Sequence, residues 1–241
     1  MLKIAIPIIY SIVYRNKLRF YLGGIHMKSF KKAISALLVI GILAGILTTG
    51  MIMTVSAVNS YSDVSGHWAA GSINRLNSLG FIDPEIFPGP GFKPDKHITR
   101  VEFFSLLTRA MGATAKADIS GFSDVVDLPE NLYDIVAKAN QMNIAFGNTD
   151  GTMRPHSNLL RQDAATLAAR ALGMSSVADW TLSRFSDGAF ISAYARTYVA
   201  AFVDKGLMVG YPNSTFRPSA FITRAEAVRI IDNLFPHVYA P

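Results

Sequence analysis

The chain contains no cysteine, and only 17% of its 241 residues are charged, whereas 50% are hydrophobic. The absence of cysteine excludes disulfide bonds, zinc sites built from thiolates and cysteine nucleophiles. The low charge and the high apolar content exclude a disordered chain. Because no covalent cross-link is available, a hydrophobic core must hold the folded chain together.

Acidic residues are absent from the first 57 positions, which hold seven of the 23 Lys and Arg residues. Residues 58–241 hold the other 16 basic residues and all 17 acidic residues, so this part of the chain is nearly neutral. The formal net charge of +6 therefore reflects the N-terminal segment. No basic stripe remains that would favour a phosphate backbone, and the sequence predicts no nucleic-acid partner.

Residues 27–57 have the order of a secretory signal peptide. A basic stretch at 28–32 precedes an apolar run at about 33–53, and residues 55–57 offer small side chains at a cleavage site. We expect cleavage after Ala57. The alternative is an uncleaved membrane anchor, since the apolar run approaches the ~20 residues that span a bilayer. Contact with a membrane is expected only through this segment, if it stays uncleaved.

Residues 1–26 form a second apolar and basic stretch ahead of this complete signal. Gly23 and Gly24 shortly precede Met27, and two glycine codons can read as GGAGG, a ribosome-binding sequence. We expect translation to start at Met27, so that residues 1–26 are a mis-assigned start. The alternative is a genuine extension of the leader. Glycine codons without a GGAGG-like string in the coding DNA would remove the main support for the first interpretation.

Three sequence signatures recur in the same order along residues 61–235, which indicates an internal repeat. The aspartates that open the copies are spaced by 61 and 63 residues, and in each copy an arginine follows 37 positions later. The signatures are Tyr61-Ser62-Asp63, Phe122-Ser123-Asp124 and Phe185-Ser186-Asp187; Phe92-Lys93-Pro94, Met153-Arg154-Pro155 and Phe216-Arg217-Pro218; and Ile98-Thr99-Arg100-Val101-Glu102, Leu159-Leu160-Arg161-Gln162-Asp163 and Ile222-Thr223-Arg224-Ala225-Glu226.

Each copy has the pattern of a helix, a loop and a second helix, so the predicted fold class is mainly α. Thr99-x-x-Glu102 and Thr223-x-x-Glu226 predict capping boxes at the second helices, and Gly112 sits where a C-terminal glycine cap belongs. A unit of about 50 residues is hard to stabilise alone, so we expect the copies to share one core. The predicted repeats span residues 58–115, 116–178 and 179–241.

The sequence offers little for catalysis. Its five histidines are scattered, and no His-Glu-x-x-His pair, Gly-x-Ser-x-Gly elbow, P-loop or dinucleotide fingerprint occurs. Asp150-Gly151 lacks the alternating acids of a calcium loop. We therefore expect a non-catalytic protein without a cofactor or a metal site.

The signatures resemble the S-layer homology (SLH) repeat over essentially all of residues 61–235. That family has an aromatic-x-Asp start, a Trp-Ala on the first helix, a Gly-x-x-Asp-Gly-x-Phe-x-Pro loop and an Ile-Thr-Arg-Ala-Glu second helix. The resemblance implies three helix-loop-helix repeats packed as a pseudo-threefold bundle. It also implies binding of secondary cell wall polysaccharide of Gram-positive bacteria, often through a pyruvylated sugar. In that family the motif arginine contacts the ligand in grooves between repeats; here it is Arg100, Arg161 and Arg224.

The arginine position also has a physical interpretation that is independent of the family. It lies in the first turn of a helix, where free N–H groups and the helix dipole favour an anion. A guanidinium can grip a carboxylate, such as that of a pyruvyl ketal, with two parallel hydrogen bonds. The alternative is an exposed surface arginine, or one that pairs with a neighbouring acid.

Further candidates for polysaccharide binding are the cation before the second helix, the tryptophan of the first helix and the glycine that opens the loop. They are Lys93, Arg154, Arg217, Trp68, Gly147 and Gly210. We expect Trp68 to lie in the core, with stacking on a sugar ring as the alternative. Asp63, Asp124 and Asp187 are expected to cap the first helices.

Departures from the family pattern rank the three arginines. Arg224 has the best-preserved surroundings, Arg100 follows a two-residue longer loop, and Arg161 lacks the preceding threonine. The predicted order of importance is Arg224, then Arg100, then Arg161. As an exposed residue, Arg224 is expected to add little to stability.

The sequence thus predicts a secreted, non-catalytic SLH triplet at the cell wall. Two alternatives stay open: a structural subunit of a surface lattice, and a wall anchor for a separately encoded enzyme or scaffold. An enzyme is the least favoured interpretation.

Overall fold

A computed structural model describes residues 61–174 and 179–238 of the chain. Within these residues there are six α-helices and two short 3-10 helices, the latter at Asp179–Arg184 and Gly188–Phe190. The α-helices are α1 (Ala70–Ser78), α2 (Arg100–Ala110), α3 (Glu130–Gln141), α4 (Arg161–Ala171), α5 (Ala193–Asp204) and α6 (Arg224–Val238). No helix of this described part is long and apolar enough to cross a membrane. The predicted signal at 27–57 and the segment 1–26 lie outside it.

Each repeat contributes one pair of helices, which confirms the predicted mainly α fold. Buried apolar side chains from all three repeats form one continuous core, with Phe104, Val136 and Phe202 as fully buried examples. The last helix, α6, packs against the first, α1, and so closes the set of repeats into a ring. The predicted shared core is therefore confirmed.

The second helices begin where the sequence places their caps. The Thr99 side chain accepts from the Glu102 N–H, and the Glu102 carboxylate accepts from the Thr99 N–H at 2.9 Å. Thr223 and Glu226 make the same reciprocal pair. In the middle repeat Leu160 stands at the cap position, and its side chain has no acceptor to offer. The predicted capping boxes are confirmed.

The three repeats meet in a closed ring of backbone hydrogen bonds just before the second helices. The Ile98 N–H donates to the Ile222 carbonyl at 3.1 Å, and the Ile222 N–H donates to the Leu159 carbonyl at 3.1 Å. The Leu159 N–H completes the ring by donating to the Ile98 carbonyl at 3.0 Å. All three side chains are buried. This ring places the start of each second helix against the loop of the next repeat.

The aspartate that opens each repeat holds the loop of its own repeat and not the first helix. Asp63 accepts from the Phe92 and Lys93 N–H groups at 2.8 and 2.7 Å. Asp124 and Asp187 make the same two bonds in their repeats. The second donor in each case has a positive φ, between 50° and 58°, which costs an ordinary side chain energy. The predicted helix-capping role of these aspartates is wrong; the carboxylate stabilises a left-handed turn in the loop.

We expect Asp63→Asn to lower the free energy of unfolding at neutral pH by about 1 kcal/mol, because one acceptor oxygen becomes a donor facing an N–H. Partial desolvation raises the pKa of Asp63, but the Lys93 and Phe92 N–H groups outweigh it and hold that pKa below its ordinary value. The stabilisation is therefore present above the ordinary pKa and is lost as the pH falls through the folded-state pKa. Urea unfolding at pH 7 and at acid pH measures both effects, and equal stability at pH 7 would contradict the role.

Candidate functional site

The three motif arginines each reach across a boundary between repeats. Each is the first residue of a second helix, as the sequence predicts. The N–H of Arg100 donates to Ser157, that of Arg161 to Ala220 and that of Arg224 to Lys96. Each guanidinium therefore lies beside the loop of the next repeat around the ring. Three pseudo-equivalent grooves run along these boundaries, and we name each by its arginine.

The Arg100 groove is bounded by the loop 145–149, helix α4 and the start of helix α5. It encloses about 560 Å³, within the range of small-molecule sites. Its lining includes Arg100, Phe146, Gly147, Arg154, Asp163, Arg170 and Tyr194. The groove thus combines three cations, one acid and two aromatic rings.

Arg100 is held by one nitrogen only. Its Nε donates to the Met153 carbonyl at 3.0 Å, and its guanidinium lies over the Phe104 ring at 5.4 Å. Within the described residues, no acceptor hydrogen-bonds to its two terminal nitrogens. Burial lowers the pKa of this guanidinium below its ordinary value, yet arginine stays charged at any physiological pH. The two free donors can grip a carboxylate.

Exposed aromatic rings flank Arg100 in the same groove. Tyr194 is 54% exposed and Phe146 is 53% exposed. The Tyr194 hydroxyl donates to Asp163 at 2.5 Å, and burial together with this bond raises the pKa of Tyr194 to about 12. Arg170 lies over the Phe146 ring at 5.0 Å. Such rings offer flat apolar faces with a polar edge.

The Arg161 groove, of about 430 Å³, is lined by the loop 206–211, helix α6 and Trp68. Arg161 is only 7% exposed; one of its terminal nitrogens donates to the Val209 carbonyl at 2.5 Å, and the other lies 3.6 Å from Glu226. Its Nε is buried and has no hydrogen-bond partner among the described residues. Trp68 is 63% exposed, so its predicted place in the core is wrong, and its ring is available to the groove.

The Arg224 groove differs, because its arginine does not line it. The lining comes from residues 79–85, helix α2 and helix α3, and an ion pair joins Arg109 and Asp83 within it. Arg224 is buried, with 4% of its surface exposed. It donates to the Glu102 carboxylate at 2.6 Å and to the Phe92 carbonyl at 2.7 Å. The predicted exposure of Arg224 is wrong, and the alternative of a pair with a neighbouring acid is confirmed at this position.

The cations that precede the second helices do not act alike. Lys93, Arg154 and Arg217 are all exposed, but of the three only Arg154 is among the residues that line the described grooves. It also pairs with Asp150 at 2.5 Å. Arg217 lies over the Tyr211 ring at 3.9 Å.

Gly147 and Gly210 line the Arg100 and Arg161 grooves, but packing explains their identity. A Cβ on Gly147 would lie 2.3 Å from the Phe122 ring, and one on Gly210 would lie 2.4 Å from the Phe185 ring. Neither aromatic side chain can be displaced freely, because each packs against the core. These glycines therefore let the loop lie flat on the opening aromatic residue of its repeat.

Sequence reasoning missed several residues of the Arg100 groove. Phe146 and Arg170 carry no motif signal, and Asp163 stands where the other copies have glutamate. Tyr194 had a signal, since it aligns with Trp68. An alignment of the three copies position by position would have identified these residues better than a search for particular residue types.

Comparison with known proteins identifies the repeat as a known domain. The sequence model of the S-layer homology domain matches residues 60–104, 121–165 and 184–228. The chain is 31% identical over 158 residues to a "Cellulosome-anchoring protein" of Acetivibrio thermocellus, covering 61% of this chain and 34% of that protein. It is 30% identical over 181 residues to "Exoglucanase XynX" of Acetivibrio thermocellus, covering 73% and 16%.

A third similar protein is "S-layer protein EA1" of Bacillus anthracis, 25% identical over 207 residues that cover 84% of this chain and 23% of that protein. The chain thus spans about a third or less of the length of these relatives. The family matches fall on the three helix-loop-helix repeats and cover more than half of the chain. Together with the relatives they confirm the predicted cell-surface location. The chain belongs to the S-layer homology domain family.

Proposed function

We propose that the chain binds an acidic cell wall polysaccharide without catalysis, and that this binding attaches it to the bacterial surface. The observation that supports the proposal is the Arg100 guanidinium, which offers two free donors to a groove walled by Tyr194 and Phe146. A carboxylate on a sugar fits the donors, and the rings can cover the apolar face of a sugar ring. A pyruvylated sugar is the specific ligand class that we propose.

The arginines rank differently in this proposal from the order predicted by motif preservation. Arg100 becomes the principal ligand residue, because Arg224 is buried in an ion pair with Glu102. Arg161 stands between them, with exposed Trp68 beside it but with one terminal nitrogen already bound to Val209. We therefore propose the Arg100 groove as the main site and the Arg161 groove as a weaker one.

Residues 58–241 should sediment with intact cell walls and should stay soluble with walls whose polysaccharide has been stripped by acid. Few charges meet the ligand, so added salt should weaken binding only modestly. Co-sedimentation with both wall preparations, at low and at moderate salt, measures this. Equal binding to intact and stripped walls would overturn the polysaccharide as ligand.

Arg100→Ala should lower the affinity for intact walls roughly ten- to a hundredfold, as expected for the loss of a charge-assisted contact. Lys93→Ala is the matched control, because Lys93 is an exposed cation of the same repeat outside the lining of the three grooves. Binding isotherms on the two variants separate a specific site from general positive charge. Equal losses in both variants would contradict the assignment of Arg100.

A further inference from the structure

One position separates the three grooves chemically: the acid at the third residue of the second helix. It is Glu102 in the first repeat, Asp163 in the second and Glu226 in the third. At each boundary this acid belongs to the repeat that receives the arginine of the preceding repeat around the ring; Asp163 and Glu226 line their grooves, whereas Glu102 is buried with Arg224. The acid therefore faces the same guanidinium that the proposed carboxylate ligand would need.

The distance between the carboxylate and the guanidinium differs among the boundaries. Glu102 lies 2.6 Å from a terminal nitrogen of Arg224, and both side chains are buried. Glu226 lies 3.6 Å from Arg161, while it also accepts from the Tyr211 hydroxyl at 2.9 Å. The acid therefore lies closer to Arg224 than to Arg161.

Asp163 completes this series, because it makes no ion pair with Arg100 within the described residues. Its side chain is one methylene shorter than glutamate, and its carboxylate accepts from the Tyr194 hydroxyl. Asp163 is thus bound by Tyr194 and not by Arg100. The terminal nitrogens of Arg100 are left facing the groove.

Two other positions follow the same order. At the position where the Arg100 groove has Tyr194 and the Arg161 groove has Trp68, the Arg224 groove has Asn131. At a second position the Arg100 groove has exposed Phe146 and the Arg161 groove has exposed Val209. The Arg224 groove has Asp83 there, and its carboxylate pairs with Arg109. At these two positions the Arg224 groove thus has polar side chains in place of exposed apolar ones.

We infer that the acid at the third position of each second helix is an internal competitor for the ligand carboxylate, and that Asp163 leaves Arg100 available to a ligand whereas Glu102 occupies Arg224. This inference rests on the proposed function for its ligand. It adds the residue that selects which of three similar grooves binds. The longer acid pairs closely with its arginine in Glu102 and more distantly in Glu226, whereas the shorter Asp163 binds Tyr194 instead.

The test is Asp163→Glu in residues 58–241, with Asp163→Asn as the matched control. The longer acid should reach Arg100 as Glu102 reaches Arg224, and should lower the affinity for intact walls roughly tenfold or more. Asp163→Asn keeps the length of aspartate and can still accept from Tyr194, but it removes the negative charge that competes with the ligand carboxylate. Its affinity for intact walls should therefore rise and not fall. Circular dichroism melts on both variants show that each one is folded.

A second readout needs no polysaccharide. The arginine-selective reagent p-hydroxyphenylglyoxal, followed by mass spectrometry of peptides, should modify Arg100 readily and Arg224 slowly in the wild type. Asp163→Glu should slow modification of Arg100, whereas Asp163→Asn should not.

The two readouts separate the inference from the proposed function. Unchanged modification of Arg100 in Asp163→Glu would overturn the inference, whatever the walls do. Slower modification of Arg100, in a protein whose wild type fails to bind intact walls, would support the inference about the arginine and overturn the proposed ligand. Slower modification with unchanged wall affinity would overturn Asp163 as the residue that selects the groove.

Discussion

A chain that ends at Met174, and so lacks the third repeat, is expected to lose cooperative thermal unfolding altogether. Without Ile222 the ring of three backbone hydrogen bonds opens, and buried faces of α1, α2 and α4 lose their cover. The truncated chain would also leave Ser72 without Asp232, which binds its hydroxyl at 2.8 Å in the full chain. Two repeats cannot bury enough apolar surface to offset these losses.

Scanning calorimetry of residues 58–174 beside residues 58–241 measures this difference. The longer chain should show one cooperative transition, since its core is continuous. A sharp transition in the shorter chain would mean that two repeats form a stable unit. The shared core would then be an association of separate folds.

Arg224→Ala should lower the free energy of unfolding by about 3 kcal/mol, because it removes the closest cation from the buried Glu102 carboxylate. Among the described residues, only the Thr99 N–H and the more distant Lys96, at 3.6 Å, then remain as partners of that carboxylate. Both side chains are less than 10% exposed, and the arginine also holds the Phe92 carbonyl of the first repeat. For a domain of this size, such a loss corresponds to a fall in Tm of roughly 6–12 °C. This expectation replaces the one drawn from sequence, which treated Arg224 as an exposed residue.

Arg100→Ala is the matched control at the equivalent position. Arg100 lacks a buried ion pair within the described residues and makes one hydrogen bond to Met153, so its loss should cost only about 1 kcal/mol. Urea unfolding of both variants at pH 7 gives the comparison. Equal destabilisation by the two substitutions would show that Glu102 does not depend on Arg224.

The repeat pattern was sufficient to predict the helix pairs, their caps and the common core, because these depend on local spacing and on apolar periodicity. Thr99 and Thr223 cap their helices through residues three positions away, and such short-range geometry can be read along the chain. The exposure of Arg224 could not be predicted in this way. Its partner Glu102 lies 122 positions away, and the two meet only because the ring brings the third repeat beside the first.

The role of the opening aspartates was missed for a related reason. Asp63 and Lys93 are 30 residues apart, so a helix a few residues away was the nearer candidate for a partner. The left-handed turn at Lys93 has no glycine to mark it. Trp68 was misplaced because a large apolar side chain is usually buried, whereas here it lies in the turn before α1 and lines the Arg161 groove.

The ring formed by Ile98, Leu159 and Ile222 also bears on how such a chain can grow by gene duplication. Each member donates one backbone hydrogen bond and accepts one, so no N–H or carbonyl of the ring is left to pair with a fourth repeat. A single additional repeat would find no vacancy, and its own donor and acceptor would be left without partners. Lengthening by duplication would therefore succeed in whole sets of three, each set closing on itself.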